Sequence, residues 1–291
     1  MPLTANARIR RFNRAVTREA GALEQSFMGR GRPLGVARVL WGIPRHHGDI
    51  ASVRSDLGLD SGLFSRILRS LQSEGLIALT AHPQDGRRRI ACLTELGQSE
   101  VALYDQLNDS SAERILSRAP DSAALLAAMD LVATALNRDH VQIIETDPDS
   151  TAAQYCLQEY FTLLSQKIPG VTLDLFPLPD PKACSYRPPH GCFLIAWSDA
   201  MPLGCVSLRP LDGATAEVKR LWVAPDARGQ GLARRLMLQI EDRAHALGYS
   251  RLNLDTNANL PEAIALYHKT GWTAIAAYSG FPSTHWFSKA L

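Results

Sequence analysis

Cysteine is scarce in this sequence, and its spacing forms no recognisable site. The five cysteines are odd in number and scattered, and none belongs to a Cys-x-x-Cys pair. This pattern argues against a disulfide framework and against a zinc site, so we expect no metal and a reducing, cytoplasmic compartment. An apolar run of about 18 residues, the length that a membrane span needs, is also missing. The first residues lack the apolar segment of a signal peptide. We therefore expect no membrane partner.

Lysine is absent from the first half of the chain. Residues 1–145 hold 18 arginines, no lysine and 16 acidic residues, whereas residues 146–291 hold 8 arginines, 5 lysines and 13 acidic residues. The change falls near Glu145–Ser150, a polar segment with a proline, which we interpret as a linker. A chain of 291 residues is long enough for two hydrophobic cores. We predict one domain over residues 1–145 and a second over residues 151–291.

The first part of the chain has helical spacing followed by a short β-ribbon. Helices are predicted over residues 3–26, 34–41, 49–57 and 60–75. In the last of these, apolar residues recur at three- and four-residue intervals from Phe64 to Leu71, and Asp60 or Ser61 can cap the helix. Strands are predicted over residues 76–80 and 89–93, around a turn. This order predicts a mainly α domain of the winged helix-turn-helix type.

Polar side chains lie on the faces of the fourth helix that point away from its apolar stripe. In a helix-turn-helix the second helix enters the major groove, where arginine bridges guanine O6 and N7 and serine reaches a base or a phosphate. The three arginines at 87–89 form a compact positive tip suited to phosphate or the minor groove. A net charge of only +2 means that DNA affinity must come from such local patches. The candidate DNA-binding residues are Ser61, Ser65, Arg66, Arg69, Arg87 and Arg88.

The run from Asp49 to Leu93 resembles the MarR family of transcriptional regulators. Its wing signature is present as Asp85-Gly-Arg87 followed by Leu93-Thr94. The resemblance implies that Asp85 shapes the wing and Arg87 contacts DNA. It also implies binding to palindromic DNA as a homodimer, through the first and last helices, here residues 3–26 and 111–136. A winged helix kept only for dimerisation or scaffolding is the alternative.

Strands and helices alternate in the second part, which predicts a mixed α/β domain. Helices are predicted over residues 151–167, 231–247 and 261–270. Strands are predicted over residues 192–198, 203–208, 216–223, 251–255, 272–277 and 285–289.

The stretch Val223–Ala233 combines a strand end, a turn with a proline, and a glycine-containing helix start. Free amides at a helix N-terminus attract anions, and the helix dipole adds to this attraction. Glycines at 229 and 231 allow the backbone to close on a pyrophosphate without interference from a Cβ atom. The dinucleotide-binding pattern Gly-x-Gly-x-x-Gly is absent. The stretch therefore predicts a diphosphate cradle.

The same stretch resembles the GNAT acetyltransferase superfamily, whose cradle motif is Arg/Gln-x-x-Gly-x-Gly/Ala. Arg228, Gly231 and Ala233 fill that motif. A second block supports the resemblance, because Ala263, Ile264, Leu266, Tyr267, Gly271 and Trp272 match the superfamily's Ala-Ile-x-Leu-Tyr-x-x-x-Gly-aromatic run. It implies a fold built on a central twisted sheet, with acetyl-CoA as co-substrate.

The resemblance also assigns candidate residues to the co-substrate. Backbone groups of residues 221–223 would pair with the pantetheine arm and form the oxyanion site. Many members carry an asparagine where this chain has Leu260, and Asn257 is a candidate substitute. The candidate cofactor-binding residues are Leu221, Trp222, Val223, Arg228, Gly229, Gln230, Gly231, Leu232, Ala233 and Asn257.

Direct acyl transfer from CoA to an amine needs a base for the ammonium and an acid for the departing thiolate. Tyr267 matches the position of the usual acid, and its unperturbed pKa of about 10 suits donation to a thiolate. Glu217, on the strand before the cradle, is the candidate base, acting through water. The alternative is that Glu217 only orients the ammonium or lies on a solvated face.

The acceptor is the least specified part of the sequence. The aromatic tail 277–287 suits a wall of a small-molecule site, and equally the packing of the last strands. The second motif block resembles that of members acting on small amines or free amino acids, so the resemblance implies such an acceptor, and we predict an N-acetyltransferase fused to a MarR-type regulator. The alternatives are a transcription factor that only senses acetyl-CoA or a ligand, and a protein-lysine acetyltransferase.

Overall fold

The computed structural model describes residues 3–82 and 85–291, with side chains described outside residues 82–88. It divides into two compact units, Met1–Ser122 and Ala123–Leu291. Each unit has its own hydrophobic core. In the described part of the chain no single helix has both the length and the apolar content to cross a membrane, and only the helices Glu95–Ser117 and Ser122–Leu136, counted together as a bent pair, reach both.

The first unit consists of helices and one antiparallel β-ribbon. Its elements are α1 (Ala5–Glu19), α2 (Leu34–Arg45), α3 (Ile50–Asp56), α4 (Ser61–Ser73), β1 (Ile77–His82), β2 (Asp85–Leu93) and α5 (Glu95–Ser117). The predicted order of helices, ribbon and helix is thus present. The side chain of Asp60 caps α4 by accepting from the amide of Leu63 at 2.8 Å.

The apolar stripe predicted on α4 is buried. Phe64, Ile67, Leu68 and Leu71 are each at most 7% exposed. They join residues of α2, α3, the ribbon and α5 in the core of this unit. Burying four large apolar side chains stabilises the fold by roughly 1.5–3 kcal/mol each. The same packing turns the polar face of α4 outward.

The second unit is a seven-stranded sheet with helices. Its elements are α6 (Ser122–Leu136), β3 (Gln142–Glu145), α7 (Thr151–Lys167), β4 (Cys192–Ser198), β5 (Met201–Asp212), β6 (Thr215–Val223), α8 (Leu232–Ala246), β7 (Arg251–Thr256), α9 (Pro261–Lys269), β8 (Thr273–Ala274) and β9 (His285–Ala290). The strand order is β3-β4-β5-β6-β7-β9-β8. All neighbours are antiparallel except the parallel pair β6 and β7.

The division between the units lies earlier than the predicted linker. Strand β3 pairs with β4 from Gln142 to Glu145, so residues that we had placed before the linker belong to the large sheet. Arg235 on α8 also donates to the carbonyl of Val141 at 2.6 Å. Residues 123–145 therefore belong to the second unit by their contacts, whereas the sequence predicted them in the first domain.

Two helices cover opposite faces of the sheet. Leu236 on α8 lies on the side of β5 toward which a Cβ atom at Gly204 would point. Successive strand residues point to opposite faces, so Cys205 faces the other side, where its thiol meets that of Cys156 on α7. The sheet is consequently buried between α7 and α8. All five cysteines are free thiols.

Strand β6 carries a bulge and separates from β7. Between the pairs Cys205–Trp222 and Ser207–Lys219 the register shifts, so Val206 faces two residues of β6, and Arg220 has φ 60°. The parallel pairing of β6 with β7 covers only residues 215–217 of β6. A bulge bends a strand and redirects its side chains. The second half of β6 therefore runs beside a gap in the sheet.

Candidate active site

The predicted cradle lies at the end of β6 nearest this gap. A short 3-10 turn, Pro225–Ala227, leads into α8, and Gly231 caps the helix in the left-handed region with φ 83°. A Cβ atom at Gly231 would have no neighbour within 4 Å, so open space adjoins the backbone. The amides of residues 229–231 have no backbone acceptor in the described parts of the chain. These amides suit an anion.

The polar side chains of the cradle stabilise its turn. The Nε atom of Arg228 donates to the carbonyl of Val223 at 3.1 Å, and Nε2 of Gln230 donates to the carbonyl of Asp226 at 2.9 Å. Leu232 is buried and Ala233 is half-buried. The side chains of these predicted residues hold the loop shape, which leaves the backbone as the anion-binding surface.

The strand edge before the cradle supplies further backbone groups. Beyond Glu217 the pairing of β6 with β7 ends, although β6 continues to Val223. Leu221 and Val223 are half-buried, whereas the side chain of Trp222 is buried in the core beside Tyr155. The predicted contacts at 221–223 can therefore involve the backbone on the free edge of this segment, but not the side chain of Trp222.

A cavity of about 460 Å³ lies beside the separated strands. Its lining includes Leu221, Tyr267 and Lys182. Aromatic residues form much of the wall: Tyr160, Phe161, Phe176, Tyr186 and Phe281. Pockets for small molecules have this size and this mixture of apolar wall and a few polar groups.

Tyr267 is 6% exposed and packs against Trp272 and Phe287. Burial raises the pKa of its hydroxyl well above the usual value. A phenol with a raised pKa stays protonated throughout the physiological range, so Tyr267 is held as a proton donor at the cavity wall.

Glu217 is enclosed and fully engaged. Its side chain is 1% exposed, and it is not among the cavity-lining residues. Arg209 binds Oε2 at 2.6–2.7 Å, while Lys219 contacts Oε1 at 3.2 Å and the hydroxyl of Tyr278 donates to Oε1 at 3.1 Å. Of these three partners, Arg209 and Lys219 line the cavity and so lie between it and the carboxylate. Glu217 is therefore placed to position neighbouring cations, and its role as base stays a prediction.

A second carboxylate, Asp255 on β7, lines the cavity itself. Lys219 donates to its Oδ1 at 2.6 Å, and Ser279 and Ser283 donate to its Oδ2 at 2.7 and 2.8 Å. Burial opposes the charged form, yet Lys219 and the two serines together hold the pKa of Asp255 below its usual value. Lys219 thus bridges the carboxylates of Glu217 and Asp255.

The aromatic tail forms part of the cavity wall. Residues 279–283 line the cavity, and their loop is fixed by the bonds of Ser279 and Ser283 to Asp255. Asn257, predicted to contact the co-substrate, also lines the cavity, but its amide donates to the carbonyl of Pro282 and its Oδ1 accepts from Asn259 at 2.8 Å. Its side chain therefore stabilises the loop.

Several charged cavity residues were absent from the predicted site. Asp180, Lys182 and Arg220 line the same space as Tyr267. Arg220 donates to Asp180 at 3.0 Å and stacks over Phe161 at 4.7 Å from the ring centroid. Arg220 adopts a positive φ although it is not glycine, and such strained positions cluster at functional sites. No local sequence pattern predicts this conformation.

Replacing Glu217 by glutamine is expected to lower the free energy of unfolding of the second unit by about 3 kcal/mol, because it leaves the half-buried guanidinium of Arg209 without its carboxylate partner, whereas Lys219 keeps Asp255. Tryptophan fluorescence during chemical denaturation can follow this, since four of the five tryptophans lie in that unit. The matched control is Glu262→Gln, which breaks an exposed pair with Lys167 and should cost less than about 1 kcal/mol. Equal effects would contradict the enclosed ion cluster.

In the first unit the predicted DNA-binding residues of α4 share one exposed face. Ser61, Ser65, Arg66 and Arg69 are all exposed, opposite the buried stripe. Arg69 also donates to the carbonyl of Ser65 at 3.3 Å. The side chains of Arg87 and Arg88 lie outside the described residues.

Residues 158–272 match the family model for the acetyltransferase (GNAT) family. The chain is similar to an uncharacterised N-acetyltransferase of Schizosaccharomyces pombe, 39% identical over 32% of this chain and 58% of the relative. It is also similar to an IAA acetyltransferase of Azospirillum brasilense, 42% identical over 28% of this chain and 53% of the relative. The chain spans about half the length of these curated relatives.

Among solved structures, an acetyltransferase of Streptococcus agalactiae aligns with 23% identity over 52% of this chain and 98% of that one, with a TM-score of 0.44. The family match over residues 158–272 shows a GNAT acetyltransferase domain in the C-terminal part of the chain, and acetyl-CoA dependence is generic to that family. The predicted family is confirmed for residues 158–272.

Proposed function

Given the GNAT domain at residues 158–272, we propose that this protein is an acetyl-CoA-dependent N-acetyltransferase of a small amine or free amino acid. The observation that carries the proposal is the continuity of three parts: the amides at the start of α8, the free edge of β6, and the cavity with Tyr267. They lie along the path that a long thioester with a diphosphate at its far end would follow.

Each part has a distinct task in this proposal. The backbone of residues 229–233 binds the diphosphate, and the edge of β6 near Val223 pairs with the amides of the pantetheine arm. Acetyl-CoA supplies an activated acyl group. Backbone groups of β6 beside Leu221 stabilise the negative charge that develops on the acyl oxygen. The cavity holds the amine in line with that carbonyl.

Proton transfer completes the reaction. The amine must lose a proton before or during attack, and the thiolate must gain one as the carbon–sulfur bond breaks. Tyr267 donates to the departing sulfur. The ammonium gives its proton to the carboxylate of Asp255, which lines the cavity, while Lys219 stays protonated between Asp255 and Glu217.

A steady-state assay of thiol release across a panel of amines and amino acids tests the proposal. We expect turnover with a subset of acceptors, and acetylated product by mass spectrometry. Tight binding of acetyl-CoA without turnover on any acceptor would overturn the enzyme in favour of an acetyl-CoA sensor. Acetylation confined to protein lysines would instead favour a protein acetyltransferase.

The proposal extends to the first unit as a MarR-type winged helix that binds palindromic DNA. Support comes from the exposed face of α4 with Arg66 and Arg69, and from the antiparallel ribbon that follows it. A homodimer is proposed through residues 3–26 and 111–136, the segments that the resemblance assigns to the dimer surface. The supporting observation is that α1 buries no residue and exposes Ile9, Phe12 and Val16 at three- and four-residue spacing.

Changing Arg87 to alanine is expected to weaken binding to any duplex and to flatten the salt dependence of affinity by about one unit, because one phosphate contact is lost. Fluorescence anisotropy on a random-sequence duplex at several salt concentrations measures this. Arg251→Ala in the second unit removes the same charge and should leave the slope unchanged. A wild-type slope in the Arg87 variant would contradict its role at the wing.

A further inference from the structure

Charge is unevenly distributed around the cavity. Four cations line it, against two carboxylates: Lys182, Arg209, Lys219 and Arg220 against Asp180 and Asp255. Three of the cations have a carboxylate partner, since Arg209 binds Glu217, Lys219 binds Asp255, and Arg220 binds Asp180. No such partner is found for Lys182 in the part of the chain whose side chains are described. The excess positive charge of the cavity therefore resides at Lys182.

The backbone of Lys182 is fixed in place. Its amide donates to Oδ1 of Asp180 at 2.9 Å, and its carbonyl accepts from the amide and hydroxyl of Ser185 at 2.9 and 2.7 Å. The other oxygen of Asp180 accepts from Arg220. Both carboxylate oxygens of Asp180 thus accept hydrogen bonds, and the guanidinium of Arg220 balances its charge. Within the described residues, the ammonium of Lys182 forms no ion pair with Asp180, which pairs with Arg220 instead.

The wall beside Lys182 is aromatic. Phe161 and Phe176 stack at 4.5 Å between ring centroids, and the guanidinium of Arg220 lies over Phe161. Phe281, on the loop held by Asp255, lines the same space. An apolar body of moderate size suits this wall, since aromatic faces gain from apolar contact.

From this placement we propose that the acceptor is an α-amino acid with an apolar side chain, whose carboxylate binds Lys182. The inference rests on the proposed N-acetyltransferase function. A simple amine or polyamine enters as a cation and meets an excess of like charge. An amino acid enters as a zwitterion, its carboxylate neutralises Lys182, and its amine is left for the acyl group at the Tyr267 end.

Matched pairs of acceptors test this directly. We expect kcat/KM for phenylalanine to exceed that for 2-phenylethylamine by at least about tenfold, as loss of one charge-assisted hydrogen bond predicts. Spermidine, a polycation, should be the poorest acceptor. Lys182→Ala should remove most of the preference by raising KM for phenylalanine alone, and Lys182→Arg should restore part of it.

Lys269→Ala is the matched control, because Lys269 is exposed on α9 and does not line the cavity. Its acceptor preference should equal that of wild type. Calorimetry of both acceptors with the CoA-saturated protein separates the two proposals. Binding that depends on the acceptor's carboxylate, without turnover, would contradict the proposed acetyltransferase activity but not the proposed amino-acid site. Equal affinities for phenylalanine and 2-phenylethylamine, or an unchanged preference in Lys182→Ala, would overturn the proposal that the acceptor is an amino acid.

Discussion

Replacing Gly231 by valine is expected to weaken the binding of CoA at least about 100-fold. Two effects act together. A branched side chain at φ 83° is strained, and its atoms would occupy the open space beside the amides that start α8. Losing two or three charge-assisted hydrogen bonds to a diphosphate is enough for a change of this size. Isothermal titration with CoA gives the measurement.

Gly248, at the opposite end of α8, provides the matched control. It has φ 89° and equally open surroundings, so Gly248→Val imposes the same backbone strain on the same helix. We expect this variant to lose some stability but to bind CoA with wild-type affinity. Equal loss in both variants would mean that damage to the helix, rather than the filled anion site, explains the result.

Changing Tyr267 to phenylalanine is expected to lower kcat about 100-fold, with little change in KM for acetyl-CoA. General acid catalysis contributes a factor of about 10² to 10⁴. The aromatic packing of the ring against Trp272 and Phe287 is kept, so the fold is preserved. Since burial raises the pKa of this phenol, the kcat of the wild type should not fall through loss of its proton up to about pH 10.

Tyr160→Phe is the control for that experiment. Tyr160 lines the same cavity, and burial raises the pKa of its hydroxyl to about 12. Its phenol shares size and environment with Tyr267 but has no assigned role in proton transfer. A similar fall in kcat in both variants would show that loss of a polar group from the cavity, rather than of the acid, slows the reaction.

Elements with strong local signals were predictable from the sequence. Helix α7 and strand β4 have the predicted bounds, because a cap at Ser150 fixes the start of the helix and turn residues bound the strand. Strand β3 was missed because its four residues are mostly exposed and lack an alternating pattern. The strand predicted over residues 272–277 shrank to Thr273–Ala274, since only these two residues pair with β9.

The residues of the candidate site also differ in how well the sequence predicts them. The cradle at 228–233 is contiguous, so its chemistry is visible in the sequence. The ion pairs around the cavity join residues far apart in the chain: 36 positions separate Lys219 from Asp255, and 40 separate Arg220 from Asp180. No spacing rule connects such residues before the sheet brings them together. Glu217 is predicted as a base that acts through water, and its contact with Tyr278, 61 positions away, is the part of its surroundings that no spacing rule predicts.

The brief contact between β6 and β7 gives the C-terminal unit a weak seam. Strands β4 to β6 close through tight turns, so they can complete their ladder before the chain has passed through α8. The ribbon of β7, β9 and β8 then joins them across three residue pairs. Cooperative folding of the unit depends on that seam and on any ligand that fills the gap. The donor substrate would therefore act as a strand that the sheet lacks.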